Sequence, residues 1–262
     1  MTAPFHGPKL KVGRARRHIE ELEAAFASYR ASRPFALAFG QDGDFDTYTV
    51  TAQPLPDELP LVIGDAIHNL RTALDLLACD LVQLRGKSRS AVYFPFCNKE
   101  SDFDGIIYGV ETECGDTKGR RGPRNQFRKA GRDAVEAVRN LRPWEGPLRA
   151  LHDLDVKDKH QMILPTLAFL RGANFGMGFT PGTVQMSISI SGVPSPESAT
   201  AVEDQINSSV RLVFPQVINV GFVPSATGQI EGREVEVVPT LHELAHLVGE
   251  IIRRFEAHRP DG

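Results

Sequence analysis

GDAIHNLRTALDLLACDLV, residues 64–82, is the stretch on which the reading of this chain turns. Ile67, Leu70, Leu74, Leu77, Leu81 and Leu84 recur at three- and four-residue steps, the one-face repeat of a long helix packed on a core. His68, Asn69, Arg71 and Asp75 interrupt the same turns. His68, Arg71 and Asp75 are three and four residues apart, so their side chains line one flank. A central helix carries such groups into low dielectric, where each needs a partner. Pro54, Pro56 and Pro60 make a stiff connector before it. The helix is expected to start between Asp57 and Leu61, to run to Leu84 or Arg85 and to stop at Gly86.

A second polar group lies in LHDLDVKDKHQMILP, residues 151–165. Pro147 can open a helix there, with Leu148, Leu151 and Leu154 facing inward and Pro165 closing the segment. His152 and Asp155 are three residues apart, Asp155 and Lys159 four, so they share a flank. An arginine in a core helix calls for a carboxylate fork, from Asp75 or from an aspartate of this second segment. The candidate catalytic group is therefore His68, Arg71, Asp75, Asp155, Asp158, Lys159 and His160. In it, His68 or His160 moves a proton while Arg71 or Lys159 holds an oxyanion or phosphate. The alternative for the same residues is a buried ion network that ties two helices together.

Working outward, Pro4, Gly7 and Pro8 predict a loose segment over residues 1–9. Val12, Ala15, Ile19, Leu22, Phe26 and Tyr29 mark a helix that Pro34 ends. Its first half is basic (Lys9, Lys11, Arg14, Arg16, Arg17) and its middle acidic (Glu20, Glu21, Glu23), opposite to what the helix dipole favours. FALAFG (35–40) and FDTYTVTA (45–52) read as a hairpin across an Asp-Gly turn. AVYFPF (91–96) reads as a strand or an anchoring loop, and residues 98–123 as a long loop with one helical turn at most. That loop ends in a basic run, Lys118, Arg120, Arg121, Arg124, Arg128, Lys129 and Arg132. A helix from Pro123, burying Phe127, Ala134, Val138 and Leu141, would crowd these arginines near backbone N–H groups that favour an anion. Lys118, Arg120, Arg121, Arg124 and Arg128 are thus the candidate phosphate or nucleic-acid contacts, with solvated surface arginines as the plain alternative.

After Met162 the character changes. MILPTLAFL, ANFGMGF, TVQMSISIS, SVRLVFP, QVINVGFV and REVEVVP alternate and are rich in β-branched residues, as strands are. SGVPSPESATAVEDQ (191–205) reads as a polar connection. Leu241, Leu244, Val248, Ile251, Ile252 and Phe255 give a closing amphipathic helix from near Thr240. The expected class is α+β, a helical group packed with an antiparallel sheet formed mainly by the C-terminal half, to which the 35–52 hairpin can add. One domain over 1–262 is expected, helix-rich to about 161, β-rich over about 162–238, with the closing helix at 240–258.

The whole chain of 262 residues is 41% hydrophobic and 24% charged, the balance of an ordinary globular protein. A net charge of −3 excludes a uniformly basic nucleic-acid coat and leaves room for a local basic patch. Cys79, Cys97 and Cys114 are odd in number and lack C-x-x-C spacing, so neither a disulfide framework nor a cysteine zinc site is suggested. With no apolar leader and no membrane-length apolar run, a cytoplasmic protein is expected.

His242-Glu243-Leu244-Ala245-His246 matches H-E-x-x-H, in which two histidines one turn apart hold zinc and the glutamate activates water. The position for a further histidine is Ile252, and the histidines share the polar face with Glu250 and Arg253, so no metal is expected and zinc at His242, Glu243 and His246 stays the alternative. Arg253 and His258 form an R-x4-H spacing of little specificity. No G-x-G-x-x-G, P-loop or G-x-S-x-G occurs.

GDAIHNLRTALDLLACDLV, the following FPF and LRPWEGPLRALHDLDVKDKHQMIL together resemble a bacterial family common in actinobacteria. Its members carry GD-x-x-HNLR-[ST]-ALDH, then QPY and DKHR, and have no assigned activity. The likeness covers about the first two thirds of the chain. More distantly, the pattern resembles the HEPN superfamily, helical domains of toxin and defence ribonucleases whose R-x4-6-H motif acts on RNA phosphates. In the family-like pattern a histidine follows Arg71 by five residues, where this chain has Leu76, and Gln161 stands where the family has arginine. The resemblance implies a ligand- or nucleic-acid-binding protein with an atypical or inactive HEPN-like ribonuclease site and RNA or a phosphate-bearing ligand as partner. Zinc hydrolysis through HELAH, and an interaction protein with an ion network and no ligand, are the other two readings.

Overall fold

Ile63, Ile67, Leu70, Leu74 and Leu77 are fully buried, and the helix that carries them, α2 (Glu58–Leu84), is the axis of the molecule. Each such side chain contributes about 1.5–3 kcal/mol relative to exposure. Glu58 favours the helix start electrostatically, Pro60 lies in the first turn where its missing N–H is no loss, and Gly86 at φ 65° marks the end. The structure is a computed structural model and describes residues 3–42, 45–114, 117–121, 125–163, 165–168, 175–180, 183–188, 196–214 and 235–257. One contiguous core, from Phe5 to Phe255, joins α2 to its neighbours. Those are α1 (His6–Ala31), α5 (Gly146–His160) and α7 (Val237–Ala257). No described helix is long and apolar enough to cross a membrane.

Residues 3–9, within the segment expected to be loose, are anchored instead. Helix α1 begins at His6, with Pro8 in its first turn, and Phe5 is 1% exposed with its N–H donated to Asp80 Oδ2 of α2 at 3.0 Å. Its basic first half also gains a reason. Lys9 pairs with Glu256 of α7 at 2.7 Å, and Lys11 donates to Asn69 Oδ1 of α2 at 3.1 Å. Neighbouring helices, not the dipole of α1, set the order of charges.

The class is α+β, but the sheet is not mainly C-terminal. β1 (Phe35–Asp42) and β2 (Phe45–Ala52) form half of an antiparallel four-stranded sheet ordered β1-β2-β7-β6, with β6 (Phe175–Thr180) and β7 (Thr183–Ile188). β5 (Thr166–Ala168) and β8 (Arg211–Val213) make a separate pair. The polar connection is also corrected: Pro196–Ser209 is helix α6. Tertiary hydrogen bonds hold it, since Asn207 accepts from Phe35 N–H and donates to Phe35 C=O, while Glu203 accepts from Leu37 N–H. QVINVGFV lies outside the described residues, and REVEVVP keeps only a bridge at Glu236 before α7 takes over.

Residues 98–123 are not one long loop. Phe103 and Ile107, one turn apart and fully buried, seat α3 (Glu100–Tyr108), and a hairpin follows, β3 (Val110–Cys114) against β4 (Thr117–Arg121). Pro123 is outside the described residues. The expected helix is divided into a 3-10 turn, Phe127–Ala130, and α4, Arg132–Arg139, because Gly131 at φ 95° breaks the ladder between them. AVYFPF is an anchoring loop with Val92, Phe94 and Phe96 buried.

Candidate functional site

α2 and α5 run antiparallel in a register set by three contacts: Gly64 faces Asp158, His68 faces Asp155, and Arg71 faces His152. Gly64 permits the approach, since a Cβ there would lie 2.5 Å from Asp158 Oδ2. The two polar groups of the sequence therefore meet, and they divide into a buried half and an open half.

The buried half centres on Arg71, 9% exposed. Its Nη1 stands 2.5 Å from Asp75 Oδ1, off the line of a directed hydrogen bond, so the contact is an ion pair. Nε donates to His152 Nδ1 at 3.4 Å, and the guanidinium lies 4.3 Å from the centre of the Phe96 ring. His152 stacks on the Phe96 ring at 4.8 Å between centroids. Burial, then the charges of Arg71 and Arg149, push the His152 imidazole down to about 4, so it stays neutral and accepts. Asp75 also takes the Phe94 N–H at 2.9 Å, which fastens the 91–96 loop to α2. Arg149 adds a fork to Asp153 at 2.9 and 2.6 Å and a bond to Cys97 C=O at 2.8 Å.

The open half centres on His68, whose side chain is 52% exposed. Its Nδ1 lies 3.0 Å from Oδ1 of Asp155, a carboxylate only 3% exposed. Lys159 Nζ takes the other oxygen at 2.6 Å. A carboxylate held by a lysine can only accept, so neutral His68 carries its proton on Nδ1 and leaves the Nε2 lone pair free. Thr72 Oγ1, one turn along α2, is 3.4 Å from that Nε2. Asp158 stands at the same contact. Burial raises its carboxyl above the usual range, aided by the negative charges of Asp155 and Asp65. This constellation can move a proton: a base oriented by a buried acid, beside a carboxyl that holds its own proton longer than usual.

His160 is exposed at the end of α5, and no contact among the described residues joins it to Asp155 or Arg71. The basic run does not gather at one helix N-terminus. Lys118 and Arg120 are opposite Glu113 and Glu111 in the β3–β4 register, Arg121 is opposite Val110, Arg128 is exposed on the 3-10 turn, and Arg124 is outside the described residues. On α7, Leu241, Leu244 and Val248 are buried while His242 and His246 face out. His242 Nε2 lies 3.0 Å from Glu23 Oε1 of α1, and His246 is 3.7 Å from Glu250 Oε1. Among the described residues no three His, Cys, Asp or Glu side chains gather to hold a metal.

No protein-family model, curated protein or solved structure matches the chain.

Gly64, Thr72 and Phe96 lie in the stretches that carry the resemblance, but neither periodicity nor charge assigns them a role at this contact. A glycine inside a helical repeat costs about 1 kcal/mol against alanine, and that cost is itself a sign of close packing. Thr72 follows His68 by four residues, the same spacing that singled out its neighbours. Phe96 gives no local signal, because its role depends on a loop folding back over α2.

Proposed function

We propose that this protein is a proton-transfer catalyst whose working group is His68. Asp155 fixes the ring and its tautomer, and Lys159 pairs with the buried carboxylate. The observation that carries this reading is the 3.0 Å contact of the half-exposed imidazole with the 3%-exposed Asp155. A histidine held in this way is oriented on one side and available to a substrate on the other. The group deprotonated is a hydroxyl or a water. In the HEPN-like form of this reading it is the 2′-hydroxyl of RNA, and that form is the less favoured, because Arg71 is taken up by Asp75, Phe96 and His152 and Lys159 by Asp155.

The test is hydrolysis of p-nitrophenyl acetate and cleavage of an end-labelled single-stranded RNA by the wild type and His68→Gln. A proton-transfer site predicts turnover above buffer in at least one assay, and a loss of about 10²–10⁴-fold in the variant. Its urea midpoint should be little changed, since His68 lies at the surface. Equal rates in the two proteins, or no turnover in either assay, would falsify the reading. A second reading is favoured by the packing around Arg71, in which the α2–α5 contact serves only as a clamp. It predicts that Asp155→Asn lowers the urea midpoint and changes no rate.

A further inference from the structure

The chain of contacts in the open half does not end at His68. Thr72 lies in the middle of α2, where a threonine hydroxyl commonly bonds back to the carbonyl one turn earlier. Asn69, on the same helix, does this through Nδ2 to Asp65 C=O at 2.8 Å. Thr72 does not. Among the described residues its hydroxyl has one hydrogen-bonding neighbour, His68 Nε2 at 3.4 Å. The order is hydroxyl, imidazole, buried carboxylate, with the imidazole proton on the side of Asp155. That is the polarity an activated hydroxyl nucleophile needs. A separation of 3.4 Å is at the long end, and such bonds tighten when a substrate is bound.

We infer that Thr72 is a nucleophile and that the site performs acyl transfer on an uncharged carboxylic ester, an inference that rests on His68 being the proton-transfer group. Thr72 Oγ attacks the ester carbonyl carbon as its proton passes to His68 Nε2. The tetrahedral adduct then breaks the bond to the alkoxy oxygen, which takes that proton and leaves as the alcohol. Water, the second substrate, attacks the acyl-threonine ester and gives a proton to Nε2, and Oγ recovers it as the carboxylic acid departs. The imidazolium formed in each half faces the Asp155 carboxylate, which stabilises it.

Charge favours an uncharged substrate. Asp65 and Asp155 both lie close enough to act on Asp158, and Lys159 is already paired with Asp155. A polyanion would meet repulsion there and an ester would not. Cys79 and Cys97 do not compete as nucleophiles. Burial raises both thiols, that of Cys97 up to about 11.

The experiment uses the full-length protein with an alkyl fluorophosphonate probe, peptide mass spectrometry and the p-nitrophenol burst from p-nitrophenyl acetate. The expected result is a probe adduct on Thr72 and a burst of one equivalent. Both persist in Thr72→Ser, and both are lost in the near-isosteric Thr72→Val and in His68→Gln, with at least a 10²-fold fall in ester turnover. No adduct on Thr72 in the wild type, or a Thr72→Val protein that turns over ester like the wild type, overturns the inference. If Thr72→Val keeps activity that His68→Gln loses, only the nucleophile is wrong and the proton-transfer reading stands. If His68→Gln also keeps it, both fall.

Discussion

Arg71, 9% exposed, and His68, with 52% of its side chain exposed, stand three residues apart on one flank of α2 and face the same helix. Arg71 is enclosed by a carboxylate, a neutral imidazole and a phenyl ring, so its charge is committed within the fold. His68 has one nitrogen held from within the protein and one turned outward. The difference teaches that an ionisable residue on a core helix is not a site merely because it is polar. It becomes one where its partners satisfy half of it and leave the other half for a ligand.

Removing the buried half should have the largest effect on folding. Arg71→Ala strips the ion pair from Asp75 and the cover from Phe96, and is expected to cost about 3–5 kcal/mol, as loss of one partner of a buried pair does. Urea unfolding followed by circular dichroism measures it. A cost below 1 kcal/mol would place Arg71 with His68 as a surface group and erase the contrast.

His152 gives the comparison a pH dependence. Its folded value of about 4 lies below the ordinary 6.5, so protonation favours the unfolded chain. The contribution of the neutral ring is complete above pH 6.5 and is lost as pH falls from there towards 4. The urea midpoint should drop across that window, and His152→Gln should flatten the drop. An unchanged slope in the variant would show that the ring is not buried against Phe96.

The smallest effect concerns the close approach that brings the helices together. In Gly64→Ala, a clash of about 1–3 kcal/mol with Asp158 is offset by the helix propensity of alanine, about 1 kcal/mol, leaving a net loss of about 1 kcal/mol. In an Asp158→Ala background the sign should reverse, because only the propensity gain remains. A double-mutant cycle of urea midpoints that shows no coupling would mean that the helices do not touch there.

The central helix was legible because its repeat is strong. Ile67, Leu70, Leu74 and Leu77 sit where the periodicity puts them, and the 35–52 hairpin follows from its Asp-Gly turn. The meeting of the 68–75 and 152–159 groups was legible too, since buried charges need partners and the two segments carry complementary ones. What the sequence hid was set by tertiary contacts. Helix α6 owes its place to Asn207 and Glu203 on the edge of β1, and Phe5 is ordered by Asp80. The register that brings Glu111 and Glu113 opposite Arg120 and Lys118 is likewise not visible in spacing along the chain. Nor does the proximity of His160 to Lys159 in sequence say which side of α5 it takes.

Nitrogen-15 resonances of the His68 ring, observed through long-range proton correlations in the wild type and in Asp155→Asn at a pH where the imidazole is neutral, probe the dyad itself. Grip by Asp155 predicts a protonated Nδ1 and a bare Nε2, with that preference weakened in the variant. A ring protonated on Nε2, indifferent to the change at residue 155, would contradict the account.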